Sequence, residues 1–278
     1  MTTIITRLKK ISPVRAIIYI LLGLFSITCL YPLIWLVINS VKTNSDLFDN
    51  PWGIGKTFEF SNYVTAWENG KIGKAFFNSA LVSLISVFAT IIASSMAAYA
   101  LKRLKWKLSP LVLGLFAVGV MIPLHSTLIP LFFMFTKAKI IDSYISLILP
   151  YIAFALPTSI LILTGFIGTL PREMEEAAVL DGCSIPRVFF SIIFPLTKPA
   201  IATISIFNFV AMWNELMFAL VFNKMTLPVS LTLFKGQYST SWTIQLAAIV
   251  IMVIPSILVY AFLNDKIIKS LAVGAVKG

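Results

Sequence analysis

The chain has 278 residues, of which 59% are hydrophobic and only 12% charged, and its mean hydropathy is +0.94. That composition excludes an ordinary soluble domain and makes lipid the main solvent of the fold. The formal net charge of +11 is spread over several short segments, so it reads as a membrane-topology signal and not as a stripe that binds nucleic acid.

An apolar run of about 20 residues crosses the hydrocarbon core as a helix, and six such runs lie between charged segments: 16–38, 75–101, 108–136, 143–171, 199–223 and 236–264. Six crossings put both termini on one side. Placing them in the cytoplasm assigns fourteen of the 22 Lys and Arg residues to inner segments and eight to outer ones, the asymmetry expected of cytoplasmic loops. The first run is 23 residues long with no small-residue cleavage pattern after it, so it reads as a retained helix and not as a cleaved leader.

Residues 39–74 form a long outer segment punctuated by Pro, Gly and Asn, which predicts turns and short surface helices. Within it, "GIGKT" at 53–57 imitates the end of a phosphate-binding loop. Asn50 stands where the first glycine of that motif belongs, so the stretch reads as a surface turn and gives no ground for ATP hydrolysis in this chain. Trp52, Trp67, Tyr238 and Trp242 gather near the outer boundary, as an interfacial aromatic belt or as faces on which sugar rings stack. Cys29 lies in the first run and Cys183 in an inner loop, so no disulfide is expected.

The links 102–107 and 137–142 are only six residues long and force antiparallel neighbours. Pro32, Pro123, Pro130, Pro150, Pro157 and Pro255 fall inside the runs and predict kinks. His125 is the only histidine, and no cluster has metal-ligand spacing. In the fifth run Glu215 is the sole charge, with Asn214 beside it. A carboxylate there is costly in lipid, so it lines a translocation path or bonds a neighbouring helix.

The fourth and fifth runs are joined by the inner segment 168–198, which contains "PREMEEAAVLDGCSIPRVFFSIIFPL". Glu173, Glu175 and Glu176 suit the first turns of a helix, Gly182 suits its end, and Ser184 with Pro186 suits the start of a second helix closed by Pro195. Met174, Ala177, Ala178 and Leu180 on one piece and Val188, Phe189, Ile192 and Ile193 on the other make two apolar faces to be buried in the bundle or a partner.

"EAAVLDG", followed by nine residues and "IIFP", resembles the EAA loop of permease subunits in bacterial ABC importers. The matching positions are Glu176, Ala177, Ala178, Gly182, Ile192 and Pro195, with Phe194 where the pattern has leucine. "WNELMFAL" at 213–220 is similar to the fifth-span motif of carbohydrate permeases, and "GAVKG" at 274–278 to the C-terminus of the maltose-type second permease. The resemblance implies an all-α polytopic membrane protein of six transmembrane helices with the type I ABC importer transmembrane fold. Its parts would be 1–70 (N-terminus, first helix and outer loop), 71–266 (the transmembrane domain with its coupling loop) and a tail at 267–278.

It further implies a homologous second permease subunit, two ATP-binding subunits that hold ATP and Mg, an extracytoplasmic sugar-binding protein, and a cell-membrane location. Glu176 would pair with a basic group of the ATPase, Ala177 and Ala178 would allow close approach, Gly182 after Asp181 would set the turn, and Ile192 and Pro195 would belong to the second helix. A permease for glycerol-phosphate or polyol derivatives, or a secondary transporter, is the competing reading.

Overall fold

In the computed structural model residues 12–104, 106–234 and 241–275 are described, with side chains to residue 263. Residues 276–278 of the C-terminal motif, the tail side chains from 267 on, Tyr238 and the bases Arg7, Lys9, Lys10, Lys105 and Lys235 lie outside that description. All regular structure among the described residues is helical. They form two compact units, Met1–Glu68 with Phe234–Val250, and Asn69–Leu233 with Ile251–Gly278.

The first unit opens with α1, Pro13–Ser40, which starts where the Ser12 hydroxyl accepts the Arg15 amide at 3.4 Å and Pro13 occupies the first turn. Its apolar side chains from Val14 to Ile34 are mostly exposed, as befits a helix solvated by lipid. Its hydroxyls are satisfied within the helix: Ser26 donates to Leu22 O at 2.8 Å and Thr28 to Leu24 O at 3.0 Å.

The expected outer turns follow. Helix α2, Asn44–Asp49, is capped by Thr43, and α3 spans Ser61–Asn69. Lys42 is fully buried and donates to Asn50 O at 2.8 Å, while Asn62 ties Ser40 O and Lys42 O together. The "GIGKT" turn is committed to its own chain, because the Lys56 amide donates to the Asp46 carboxylate at 2.8 Å.

In the second unit, α4 (Ile72–Arg103) packs against α7 (Ile145–Ile167). Ser79, Ser83, Ser86, Thr90, Ser94 and Ala98 recur every three or four residues along α4, and all are buried. Small side chains on one stripe let two backbones approach closely, which is how helices associate where lipid removes the hydrophobic drive.

Between them, the expected third run is not one helix. Helix α5, Ser109–Gly119, ends before Pro123, and after the 3-10 turn Leu124–Thr127 the chain continues as α6, Leu128–Lys137, bent by 90° from α5. Pro123 has an extended backbone, ψ 123°, and proline offers no amide to continue the ladder. Pro150 and Pro157, by contrast, lie inside a continuous α7.

After α7 come α8 (Glu173–Leu180), α9 (Ile185–Val188), a π turn at Phe189–Ile193, α10 (Phe194–Leu196) and α11 (Lys198–Trp213). The expected fifth run is also interrupted: α11 stops at Trp213 and α12 resumes at Met217–Val221. Helix α13, Leu227–Ser230, is tied to α4 by the Leu227 amide on the Ser79 hydroxyl at 2.8 Å. The last helix, α14, spans Trp242–Ala275. Among the described residues four helices are long and apolar enough to cross a membrane, and up to six spans result if each of two bent pairs counts as one.

Candidate functional site

Two places gather polar and charged groups inside an otherwise apolar bundle. The first is the hairpin α8 to α10. Helix α8 begins with the amides of Glu175 and Glu176 on Arg172 O, at 2.9 and 3.1 Å, and carries Glu173, Glu175 and Glu176 in its first turn, where the helix dipole favours negative charge. It ends after Asp181 with Gly182 at φ +80°. The Gly182 amide bonds Val179 O at 3.0 Å and the Cys183 amide bonds Ala178 O at 2.9 Å, the paired closing bonds of a helix terminated by a left-handed residue.

The second arm starts at Ser184, with Pro186 in its first turn, but the serine hydroxyl makes no capping bond. Nor does Pro195 close this arm as its position suggested. Because Pro195 has no amide to give the preceding turn, the helix widens instead: Phe194 N bonds Phe189 O, five residues back, and the chain stays helical to Leu196.

The two arms differ in what they bury. Val188, Phe189 and Ile193 enter a cluster with Ala98, Tyr99, Leu163, Ile167, Ala200 and Ile204, and Ile192 and Phe194 pack at its edge. The Phe194 ring lies 5.9 Å from that of Phe189, so the phenylalanine that replaces leucine in the motif adds an aromatic contact to the same cluster.

Helix α8 contributes only Ala178 to this core. The expected partnership of Ala177 and Ala178 is therefore divided, since Ala177 is exposed together with Met174, Glu176, Val179 and Leu180, the last 88% exposed. A hollow of about 440 Å³ lies beside this face, lined in part by Glu176, Val179, Leu180 and Ile185.

Arg103, the last residue of α4, holds α8 from within. Its Nε lies 2.8 Å from Glu175 Oε1, with the two side chains 5% and 13% exposed. Its Nη2 donates to the carbonyl of Ile167, the last residue of α7, at 2.9 Å and to Leu170 O at 2.7 Å in the turn that follows. From the sequence Arg103 counts only as a topology charge, and Glu175 only as one of several acids. A pairing 72 positions apart along the chain leaves no local pattern.

The second place is the break between α11 and α12. Glu215 is buried there, and its carboxylate is fully engaged by its own chain. Oε1 accepts the Phe218 amide at 2.9 Å, while Oε2 accepts the Tyr151 hydroxyl at 2.7 Å and the Ala219 amide at 3.3 Å. His125 Nε2 stands 3.8 Å from Oε1 on the open side. A cavity of about 270 Å³ adjoins the carboxylate and is lined by Tyr151, Phe154, Thr158, Asn208 and Glu215 among others. Asn214 is not brought into this group; its side chain is exposed and returns to Val210 O at 2.8 Å.

Comparison with known proteins agrees with this architecture. Residues 89–272 match the family model described as "Binding-protein-dependent transport system inner membrane component". An ABC transporter permease, the ORF2 product of Caldicellulosiruptor sp., is 38% identical over 94% of this chain and 96% of its own length. The trehalose/maltose transport system permease protein MalG of Thermococcus litoralis is 32% identical, over 92% of this chain and 94% of its own length. A chain from the crystal structure of a bacterial ABC transporter involved in the import of the acidic polysaccharide alginate superposes with a TM-score of 0.78 at 20% identity, covering 92% of this chain and 97% of that one. The chain thus belongs to the family of binding-protein-dependent transport system inner membrane components, the multi-pass permease subunits of ABC transporters.

Proposed function

We propose that the chain is one of two permease subunits of an ATP-driven, binding-protein-dependent importer of sugars, of the oligosaccharide class, and that it forms half of the translocation path. A full-length relative named for trehalose and maltose supports the substrate class. In this reading the chain crosses the membrane six times with both termini in the cytoplasm, residues 71–266 are the transmembrane domain, and the hairpin within 168–198 takes the drive from the ATPase. A homologous permease, two ATP-binding subunits that hold ATP and Mg, and an external sugar-binding protein complete the complex.

One observation carries the coupling reading. The second arm of the hairpin is sunk in its own bundle, while α8 turns Ala177, Val179, Leu180 and the charged Glu176 outward, exposed among the described residues. Exposed apolar area beside a free carboxylate suits insertion into a partner's cleft with a basic group at its edge. Asp181 and Gly182 turn the chain back, and Ile192 and Pro195 belong to the arm that anchors it. A domain closure imposed on α8 then reaches the helices as a rigid-body movement.

Glu215 and the cavity beside it belong, in the same proposal, to the path. No Lys or Arg is among the residues that line this cavity, which favours a neutral polyhydroxylated cargo over a glycerol phosphate.

The test is uptake by cells expressing the four-component system, with radiolabelled maltose, trehalose, raffinose and glycerophosphocholine as probes. Glu176→Lys and Gly182→Asp are expected to abolish sugar uptake while the protein remains in the membrane. Normal uptake by both variants would overturn the coupling role, and uptake of the phosphodiester alone would overturn the substrate class. Gradient-driven sugar flux by this chain alone in liposomes would replace the whole reading with a secondary transporter.

A further inference from the structure

Of the three acids in the first turns of α8, two face outward and one faces in. Glu173 and Glu176 are exposed, whereas Glu175 meets the buried guanidinium of Arg103 at 2.8 Å. Arg103 does more than neutralise it. The same side chain donates from Nη2 to Ile167 O and Leu170 O, so one planar group touches α8, terminates α4 and grips the end of α7.

Apolar packing alone would hold α8 loosely, because Ala178 is its only side chain in the core cluster. A helix resting on one alanine is free to roll or slide. The two Nη2 bonds to Ile167 O and Leu170 O fix the plane of the Arg103 guanidinium, and the buried ion pair, a charge contact and not an aligned hydrogen bond, then holds Glu175 at close distance to that fixed group.

We propose that Arg103, acting through Glu175, is the positioning residue that makes α8 move as one body with the ends of α4 and α7. A displacement imposed on α8 then enters the two longest-packed helices of the bundle at their ends and is not dissipated as a local roll. The inference rests on α8 being the face that meets the ATPase, and it adds where the motion is handed on.

The experiment measures that rigidity in the assembled complex with its ATPase and second permease, in nanodiscs. Cys29 and Cys183 are replaced by serine, and spin labels are attached through Leu84→Cys on the exposed side of α4 and Glu173→Cys on α8. Leu84 lies about 28 Å along the helix from Arg103, at 1.5 Å per residue, a span suited to pulsed electron-electron resonance. Distances are recorded without nucleotide and after trapping with ATP and vanadate.

The unmodified pair is expected to give one narrow distance in both states. Glu175→Gln should add a second, broader population on trapping, with the ATPase still bound. If Glu175→Gln leaves the distance single and unchanged, the strut is overturned while the docking reading stands. A distance that already broadens in the unmodified pair overturns it too, since α8 then moves independently of α4. If Glu175→Gln does not accumulate, Arg103→Lys, which keeps the charge but loses the planar fork, is measured with the same two outcomes. Failure of the docking reading is separately visible as normal co-purification of the ATPase with Glu176→Lys.

Discussion

Tyr151 donates its hydroxyl to Glu215 across 2.7 Å, and that bond joins the first third of α7 to the point where α11 breaks and α12 begins. The carboxylate also receives the first free amides of α12, from Phe218 and Ala219. A helix interrupted inside the membrane leaves amides that lipid cannot satisfy. Glu215 is therefore the group that makes this break tolerable, whatever passes beside it.

Removing that acceptor should be costly in a graded way. Glu215→Ala strands two amides and a phenol, and its expected cost is about 2–3 kcal/mol. Glu215→Gln keeps one acceptor oxygen, and about 1 kcal/mol is expected for it. Thermal unfolding of the detergent-solubilised complex reads the difference as melting temperatures in the order wild type, Gln, Ala. Equal melting of all three would show that the carboxylate does not hold the break together.

Gly182 separates backbone strain from steric space. Its φ is +80°, yet a Cβ added there would meet no atom within 4 Å. Substitution is therefore penalised by conformation only. Gly182→Ala is expected to destabilise the hairpin by about 1 kcal/mol, and Gly182→Asn by less, because asparagine visits the left-handed region more readily. Limited proteolysis at the hairpin, compared among the three proteins, checks the order. A faster cut in the Asn variant than in the Ala variant would contradict it.

Much of this fold is legible in the sequence because hydrocarbon imposes length and polarity rules that show in one dimension. The runs at 16–38, 75–101 and 143–171 appear as α1, α4 and α7 within a few residues. The hairpin too is readable, since Gly182 and Pro186 carry local signals at its turn. Proline is ambiguous by nature: Pro123 breaks its run and Pro195 widens a turn, while Pro150 and Pro157 are absorbed in α7. Which outcome occurs depends on neighbours that take over the freed carbonyls, and those come from elsewhere in the chain. Arg103–Glu175 and Tyr151–Glu215 are hidden for the same reason, each joining helices more than 60 positions apart.

The outer turn that imitates a phosphate loop makes its own prediction. Gly55 sits where a Cβ would come within 2.8 Å of Asp46 Oδ2 and 2.9 Å of Lys42 Cγ, and Asp46 already takes the Lys56 amide. Gly55→Ala should therefore perturb the outer segment by about 1–3 kcal/mol of overpacking, with no change in nucleotide binding. Protease accessibility of 42–60 and equilibrium binding of a fluorescent ATP analogue to this chain without its partners check the two halves. Measurable ATP binding that Gly55→Ala removes would restore the phosphate-loop reading.

The small-residue stripe on α4 offers the sharpest contrast between two changes at one position. The Ser86 side chain is fully buried, and its hydroxyl has no hydrogen-bond partner among the described residues. A buried hydroxyl without a partner contributes little, so Ser86→Ala should leave stability unchanged or raise it by about 0.5–1 kcal/mol. Ser86→Leu keeps the hydropathy of a membrane span, and judged by lipid solubility alone it would be harmless. It nevertheless inserts a branched side chain where α4 meets its neighbours, and overpacking of about 1–3 kcal/mol is expected. The measurement is the amount of protein in the membrane fraction and the melting temperature of the purified complex for both variants. A stable Ser86→Leu protein would mean that the stripe faces lipid, which would remove the close approach of backbones on which the α4 packing rests.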